Sequence, residues 1–101
     1  MATFVKVCKT TDIPVGRGKS VEVNGKTVAV FNVDGNFYAI NDTCLHRGGP
    51  LSEGELDGNT VTCPWHGWRY DVTSGANELV PGMPTENYPV KIEEDDVLVE
   101  I

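Results

Sequence analysis

The sequence of 101 residues has little of what several classes of protein require. Basic residues number 8 against 15 acidic residues, which gives a formal net charge of −7. Nucleic-acid and anionic-membrane binders need basic patches, so this charge argues against both kinds of partner. No apolar run approaches the roughly 20 residues that span a bilayer. The N-terminus also lacks a basic flank followed by an apolar core, so we expect neither a transmembrane segment nor a signal peptide.

Cysteine and histidine are scarce as well, with 3 and 2 residues. Three thiols are too few for a disulfide scaffold, and their odd number favours a reducing compartment, so we expect a cytoplasmic protein. A single domain of this length buries a modest share of its surface, which makes a bound metal the better candidate for extra stabilisation. Cys8 lies away from any motif and is expected to be a buried structural thiol.

Short stretches in which apolar and polar residues alternate are the dominant pattern of the sequence. The sequence predicts strands at residues 4–9, 20–23, 27–33, 36–40, 60–63, 68–72, 88–92 and 97–101. Asn24-Gly25 and Asp34-Gly35 are strong signals for two-residue hairpin turns. No stretch with helical periodicity is longer than a turn or two, so the predicted fold class is all-β.

Two long stretches lie between the strands. Residues 41–58 and 73–84 are rich in glycine and turn-forming residues, and the second ends in Pro-Gly-Met-Pro. Long loops are unusual in a compact domain and often carry function. We therefore expect these two stretches to carry the functional residues.

Each histidine follows a cysteine closely. Cys44 and His46 form one pair, Cys63 and His66 form the second, and 16 residues separate His46 from Cys63. Two thiolates and two imidazoles on short loops are a metal-ligand set. Structural zinc sites usually group sulfur with sulfur, whereas each loop here offers one sulfur and one nitrogen. This arrangement suits a two-iron cluster held between the loops, and a zinc-stabilised interaction module remains the alternative.

The two motifs resemble the ligand loops of the Rieske 2Fe–2S proteins, in which both cysteines hold one iron and both histidines hold the other. Residues 46–51 look like the first cluster loop, 63–71 like the second, and 81–84 like the proline loop that covers the cluster. Together with the flanking strands, the resemblance spans nearly the whole chain.

The resemblance implies a Rieske (ISP-like) fold in a single domain. It implies a small antiparallel β-sandwich base at about residues 3–41 and 85–101, with a two-loop cluster-binding subdomain inserted at about 42–84. It also assigns one 2Fe–2S cluster to Cys44, His46, Cys63 and His66. The residues then expected around these ligands are Arg47, Gly48, Trp65, Gly67, Trp68, Tyr70 and Pro81.

The sequence differs from the respiratory and photosynthetic branch of this family. That branch bridges its two loops with a cysteine pair, whereas Gly49 and Trp65 stand at those positions here. Trp68 stands where that branch has a serine that bonds a bridging sulfide, although Tyr70 matches its tyrosine. The run at residues 66–71 is similar to the Rieske domains of ring-hydroxylating oxygenases, which carry a second domain with a mononuclear iron.

This chain has no further histidines for such an iron, so it resembles the free-standing ferredoxin that serves an oxygenase. The resemblance implies a monomeric one-electron carrier, not itself a catalyst, with a flavin-dependent reductase as donor and a terminal oxygenase as acceptor. The alternatives are the small Rieske subunit of an assimilatory nitrite reductase and a redox sensor. Glu53, Glu55 and Asp57 form either a docking patch for a basic reductase or a solvated loop.

The reduction potential is the first testable consequence. Histidine ligation raises the potential because the cluster is less negative, whereas losing the serine donor leaves the added electron less stabilised. We therefore expect a value in the lower part of the Rieske range of about −150 to +300 mV. Protein-film voltammetry measures it directly, and a potential near the upper limit would contradict the expectation.

Overall fold

The computed structural model describes residues 3–42, 50–65, 67–78, 82 and 84–100. Its strands are β1 (Phe4–Lys9), β2 (Gly18–Val23), β3 (Lys26–Val33), β4 (Asn36–Asn41), β5 (Glu55–Asp57), β6 (Thr60–Thr62), β7 (Arg69–Asp71), β8 (Asn87–Tyr88), β9 (Val90–Glu93) and β10 (Asp96–Glu100). Two short 3-10 turns, Thr10–Asp12 and Leu51–Glu53, are the helical segments among the described residues. None of the helical structure described here is long and apolar enough to cross a membrane.

The strands form three antiparallel sheets. Their orders are β1-β10-β9 in the first sheet, β2-β3-β4-β8 in the second and β5-β6-β7 in the third. The predicted all-β fold class is confirmed, and the first two sheets form the sandwich. The third sheet lies within residues 42–84, and the division of the chain into base and subdomain at those boundaries stays a prediction.

The second sheet is the middle layer, and β3 is buried on both of its faces. Successive side chains of a strand point to opposite faces. Val28 and Val30 accordingly belong to a core cluster shared with the first sheet, whereas Ala29, Phe31 and Val33 belong to a cluster shared with the third. The first cluster contains Cys8, Ile13, Val28, Val30, Ala39, Tyr88, Val97 and Val99. The second contains Ala29, Phe31, Val33, Ile40, Leu51, Val61, Cys63, Tyr70 and Val72.

The two predicted hairpin turns are confirmed. Asn24 and Gly25 have φ values of 50° and 81°, and Asp34 and Gly35 have values of 52° and 91°. Positive φ at both central residues is the signature of the type I′ turn, whose twist matches that of the flanking strands. The turns therefore set the register of β2 with β3 and of β3 with β4.

Two parts of the strand prediction are wrong. The stretch 41–58, predicted as a loop, contains β5, which is too short for its alternation to be recognised. The predicted strand at 88–92 is divided at Pro89, so that β8 pairs with β4 and β9 pairs with β10. Proline has no N–H for a ladder hydrogen bond, and the chain passes from the second sheet to the first at this residue.

Cys8 is buried in the first core cluster, as predicted. Burial raises the pKa of its thiol, because the thiolate would lose its hydration. Neither Cys8 nor Cys63 forms a disulfide. Cys8 is therefore a buried packing residue of the first core cluster and belongs to neither metal-ligand motif.

The double burial of β3 predicts a large effect for one substitution. Phe31 has no exposed surface, so Phe31→Ala should lower the free energy of unfolding by about 3–5 kcal/mol through lost burial and the cavity left behind. Phe4→Ala is the matched control, since Phe4 is 36% exposed on β1. Its cost should stay below about 1 kcal/mol. Equal losses for the two variants in denaturant unfolding would contradict this account of the core.

Candidate metal centre

Of the four predicted ligands, Cys63 lies in the described part of the chain. Outside it lie the other three predicted ligands, Cys44, His46 and His66, and three of their expected neighbours, Arg47, Gly48 and Pro81. The described residues therefore show the second loop except for His66. They also show the roots of the other loops, meaning the backbone positions at which each loop leaves and rejoins the sheets.

Cys63 directly follows β6 and is 1% exposed. Its N–H donates to the carbonyl oxygen of Trp68 at 2.7 Å, and its own carbonyl oxygen accepts from the N–H of Gly67 at 3.0 Å. These bonds close a hairpin turn between β6 and β7. Gly67 has a φ of 75°, which lies in the left-handed region. This region favours glycine because a Cβ atom would crowd the carbonyl oxygen that follows it in the chain.

The aromatic residues near Cys63 have three different environments. Tyr70 is fully buried in the same core cluster as Cys63, and Trp68 is partly buried against that cluster. Trp65 is 59% exposed at the end of the hairpin. The structure therefore places Tyr70 and Trp68 on the protected side of the second loop and Trp65 on its open side.

The root of the first loop is closed by Asp42, which sequence reasoning missed. The carbonyl oxygen of Asp42 accepts from the N–H of Leu51 at 2.6 Å, and its Oδ1 accepts from the N–H of Ser52 at 2.7 Å. The N–H of Asp42 donates to the carbonyl oxygen of Thr27 in β3 at 3.1 Å. An aspartate before a loop is a known acceptor for nearby N–H groups, but a partner ten residues away cannot be read from the sequence.

The proline loop is the third loop, and its root lies beside that of the first loop. The N–H of Thr85 donates to the carbonyl oxygen of Gly75 at 2.8 Å, which closes the segment 76–84. The N–H of Asn41 donates to the carbonyl oxygen of Glu86 at 2.9 Å. The chain therefore enters the first loop next to the point at which it leaves the third.

Gly54 brings the first loop against the second, and it too was missed by sequence reasoning. A Cβ atom at this position would overlap the carbonyl oxygen of Thr62, the residue before Cys63, and would meet the side chain of Val61. Only glycine allows the chain leaving the first loop to pass this close to β6. Its mutation would therefore disturb the relative placement of the two ligand loops.

The chemistry of the donor set fits a 2Fe–2S group. Two thiolates and two imidazoles supply the soft sulfur and nitrogen donors that such a cluster takes. The thiol of Cys63 lies against the apolar cluster that contains Val61 and Tyr70, so the protein shields this donor from water. Burial of this kind limits solvent access to a metal centre and influences its potential.

The outer face of the third sheet carries a net negative charge. Leu56, Val61 and Tyr70 point toward the core, so their neighbours along β5, β6 and β7 point outward. Glu55 and Asp57 of β5 are exposed on this outer face. Arg69 is the one basic residue of the three strands, and it is exposed too.

The chain is similar to known proteins over almost its full length. A family model described as Rieske [2Fe-2S] domain matches residues 3–92. A biphenyl dioxygenase ferredoxin subunit from Pseudomonas sp. (strain KKS102) is 41% identical over 100 residues, which cover 97% of this chain and 92% of that protein. A ferredoxin in a complex of reduced oxygenase and oxidised ferredoxin of carbazole 1,9a-dioxygenase is 37% identical, with a TM-score of 0.87 over 95% of this chain and 91% of that chain.

The fold is also found in a second functional group. A chain described as an NADH-dependent nitrite reductase small subunit from Mycobacterium tuberculosis has a TM-score of 0.92 over 100% of this chain and 96% of that chain, with 22% identity. At that level of identity the likeness shows the fold alone. The higher identities belong to the ferredoxins of dioxygenase systems.

The contact of Gly54 with β6 leads to a prediction. Gly54→Ala should lower the free energy of unfolding by about 1–3 kcal/mol, because the added methyl group forces backbone to move. It should also lower the iron content of the purified protein, since the shift reaches Thr62 and thereby Cys63. Ser20→Ala is the control, because Ser20 is exposed on β2 and lies in none of the loops. Wild-type iron content and stability in Gly54→Ala would contradict the prediction.

Proposed function

Because this chain belongs to the Rieske [2Fe-2S] domain family, we propose that it is the ferredoxin of a ring-hydroxylating oxygenase system. In this role it accepts single electrons from a flavin-dependent reductase and passes them to a terminal oxygenase. The observation that carries the proposal is the similarity over nearly the whole chain to ferredoxin subunits of dioxygenase systems. The match to the Rieske [2Fe-2S] domain covers residues 3–92 of these 101 residues.

Four residues would hold the cluster: Cys44, His46, Cys63 and His66. When bound, the cluster supplies a site for one electron, with a potential raised by histidine ligation. The chain's own contribution is to hold the donors on loops whose roots are tied to a rigid sheet. Holding donors rigidly favours outer-sphere electron transfer, which needs little rearrangement of the protein.

The surface next to the second loop supports a protein partner rather than a small substrate. Exposed Trp65 offers an apolar contact of the kind enriched at interface hot spots. Glu55 and Asp57 lie on the outer face of the adjoining sheet, where negative charge attracts a basic partner. An apolar contact surrounded by acidic residues suits a short-lived protein complex, because the charges raise the rate at which a basic partner associates.

We also propose that the protein works as a monomer in the cytoplasm. Both described cysteines are buried and neither is in a disulfide, which agrees with a reducing compartment. The large apolar side chains exposed on the described surface are few. They are Phe4, Val15, Trp65 and Ile92. This arrangement differs from the large continuous apolar face of an obligate dimer.

The cluster and its electron transfer are tested together by spectroscopy and reconstitution. Purified protein should contain iron and acid-labile sulfide without zinc, and dithionite should produce a rhombic EPR signal with a low average g. Mixing it with a flavin-dependent reductase and a terminal oxygenase should couple NADH oxidation to hydroxylation. A protein with zinc and no sulfide, or transfer only to a sirohaem nitrite reductase, would refute the proposal.

Docking by the acidic face predicts a position-specific charge effect. The double variant Glu55→Gln, Asp57→Asn should lower the second-order rate constant for electron transfer from the reductase by about threefold or more at low salt. Stopped-flow absorbance measures this rate, and the difference from wild type should shrink as ionic strength rises.

The matched control removes the same charge from the base. Glu94 and Asp95 are both exposed in the turn before β10. The double variant Glu94→Gln, Asp95→Asn should transfer electrons at nearly the wild-type rate. Equal slowing in both double variants would mean that net charge alone matters and that the third sheet is not the docking face.

A further inference from the structure

Asp42 is a buried carboxylate placed at the entrance to the first loop. It is 6% exposed and lies directly after β4. Its backbone is held by Thr27 and Leu51, while its Oδ1 accepts the N–H of Ser52. The side chain therefore joins the residue before the segment 43–49 to a residue just after it.

The turn that receives this hydrogen bond is fixed in place. Leu51 is fully buried in the core cluster that also contains Phe31 and Cys63. The carbonyl oxygen of Ser52 lies so close to Gly18 of β2 that an added Cβ atom there would meet it at 3.0 Å. The Asp42 hydrogen bond thus ties the loop to a turn that cannot easily shift.

The same turn leads directly to the second loop. Gly54 follows the turn and lies against the carbonyl oxygen of Thr62, and Glu55 then pairs with Thr62 in the third sheet. Cys63 is the next residue after Thr62. A short path of hydrogen bonds and close contacts therefore runs from Asp42 through Ser52 and Gly54 to the root of Cys63.

We propose that the Asp42 carboxylate is a positioning residue for the 2Fe–2S cluster. By accepting the N–H of Ser52, it holds both ends of the segment that carries Cys44 and His46 against the strand that leads to Cys63. This inference rests on the ligand set proposed above. Asp42 does not touch the cluster in this role, and it acts through the backbone of the loop.

The physical reason is preorganisation. A buried N–H that loses its acceptor is costly, so removing the carboxylate favours opening of the loop root. An open root frees the segment 43–49 to sample more conformations, and its donors then leave the cluster more readily. Supporting hydrogen bonds around a metal site commonly change metal retention by tenfold or more, about the size expected here.

The test measures the rate of cluster loss from the holoprotein. Wild type, Asp42→Ala and Asp42→Asn are challenged with an iron chelator, and bleaching of the visible absorbance is followed in time. Asp42→Ala should lose the cluster about tenfold faster than wild type. Asp42→Asn keeps an Oδ1 acceptor, so its rate should remain near that of wild type. EPR before the challenge checks that each variant starts with an intact cluster.

Asn32→Ala is the matched control for general destabilisation. Asn32 is also buried, and its side chain accepts from the N–H of Gly35 and donates to the carbonyl oxygen of Ile13. It lies at the opposite end of the β3–β4 hairpin from Asp42. Asn32→Ala should lower the melting temperature without a matching acceleration of cluster loss.

Three outcomes would overturn the inference. One is wild-type cluster retention in Asp42→Ala. The second is loss in Asp42→Asn as fast as in Asp42→Ala. The third is loss in Asp42→Ala and Asn32→Ala in proportion to their fall in melting temperature. Wild-type protein that holds no iron and sulfide would instead overturn the proposed function, and the inference with it.

Discussion

The burial of β3 on both faces is the constraint on which the rest of the structure depends. A strand in a two-layer sandwich needs one apolar face, whereas residues 28–33 of this strand are buried without interruption. Its odd and even positions contribute to two separate cores. Burying both sides removes more apolar surface from water than one core could, which matters in a chain of 101 residues. It also makes one sheet the common support of the base and of the candidate site.

This shared sheet explains how the loops are held. The first loop leaves from the end of β4, and the third returns to the same place through the bond between Asn41 and Glu86. The second loop joins β6 to β7 in the third sheet. This sheet packs on the face of β3 that is turned away from the first sheet. The root of each loop is therefore fixed by the sheet from which the loop departs. Long loops on a rigid support are the usual arrangement for a metal site that must keep its geometry.

The candidate site has one side that is buried and one side that is exposed, and both properties suit an electron carrier. Cys63 and Tyr70 are buried, so one side of the site is shielded from water. Trp65 and the acidic residues of β5 remain accessible to a partner. A carrier needs both properties, because its redox centre must be stable in solution and still approach another protein closely. Solved structures similar to this chain include a ferredoxin and a larger terminal oxygenase, so the fold alone does not decide the partner.

The sequence by itself determined the fold class, the hairpin turns and the metal-ligand motifs. These features are local: alternation, Asn-Gly and Asp-Gly pairs, and cysteine and histidine spacings all lie within a few residues. Only the tertiary structure decided the roles of Asp42 and Gly54, the short strand β5 and the division of the predicted strand at Pro89. Each of these depends on a contact between residues distant in sequence or on the pairing of a strand too short to be recognised. A sequence pattern reports which face of an element is apolar, but it does not report which element covers that face.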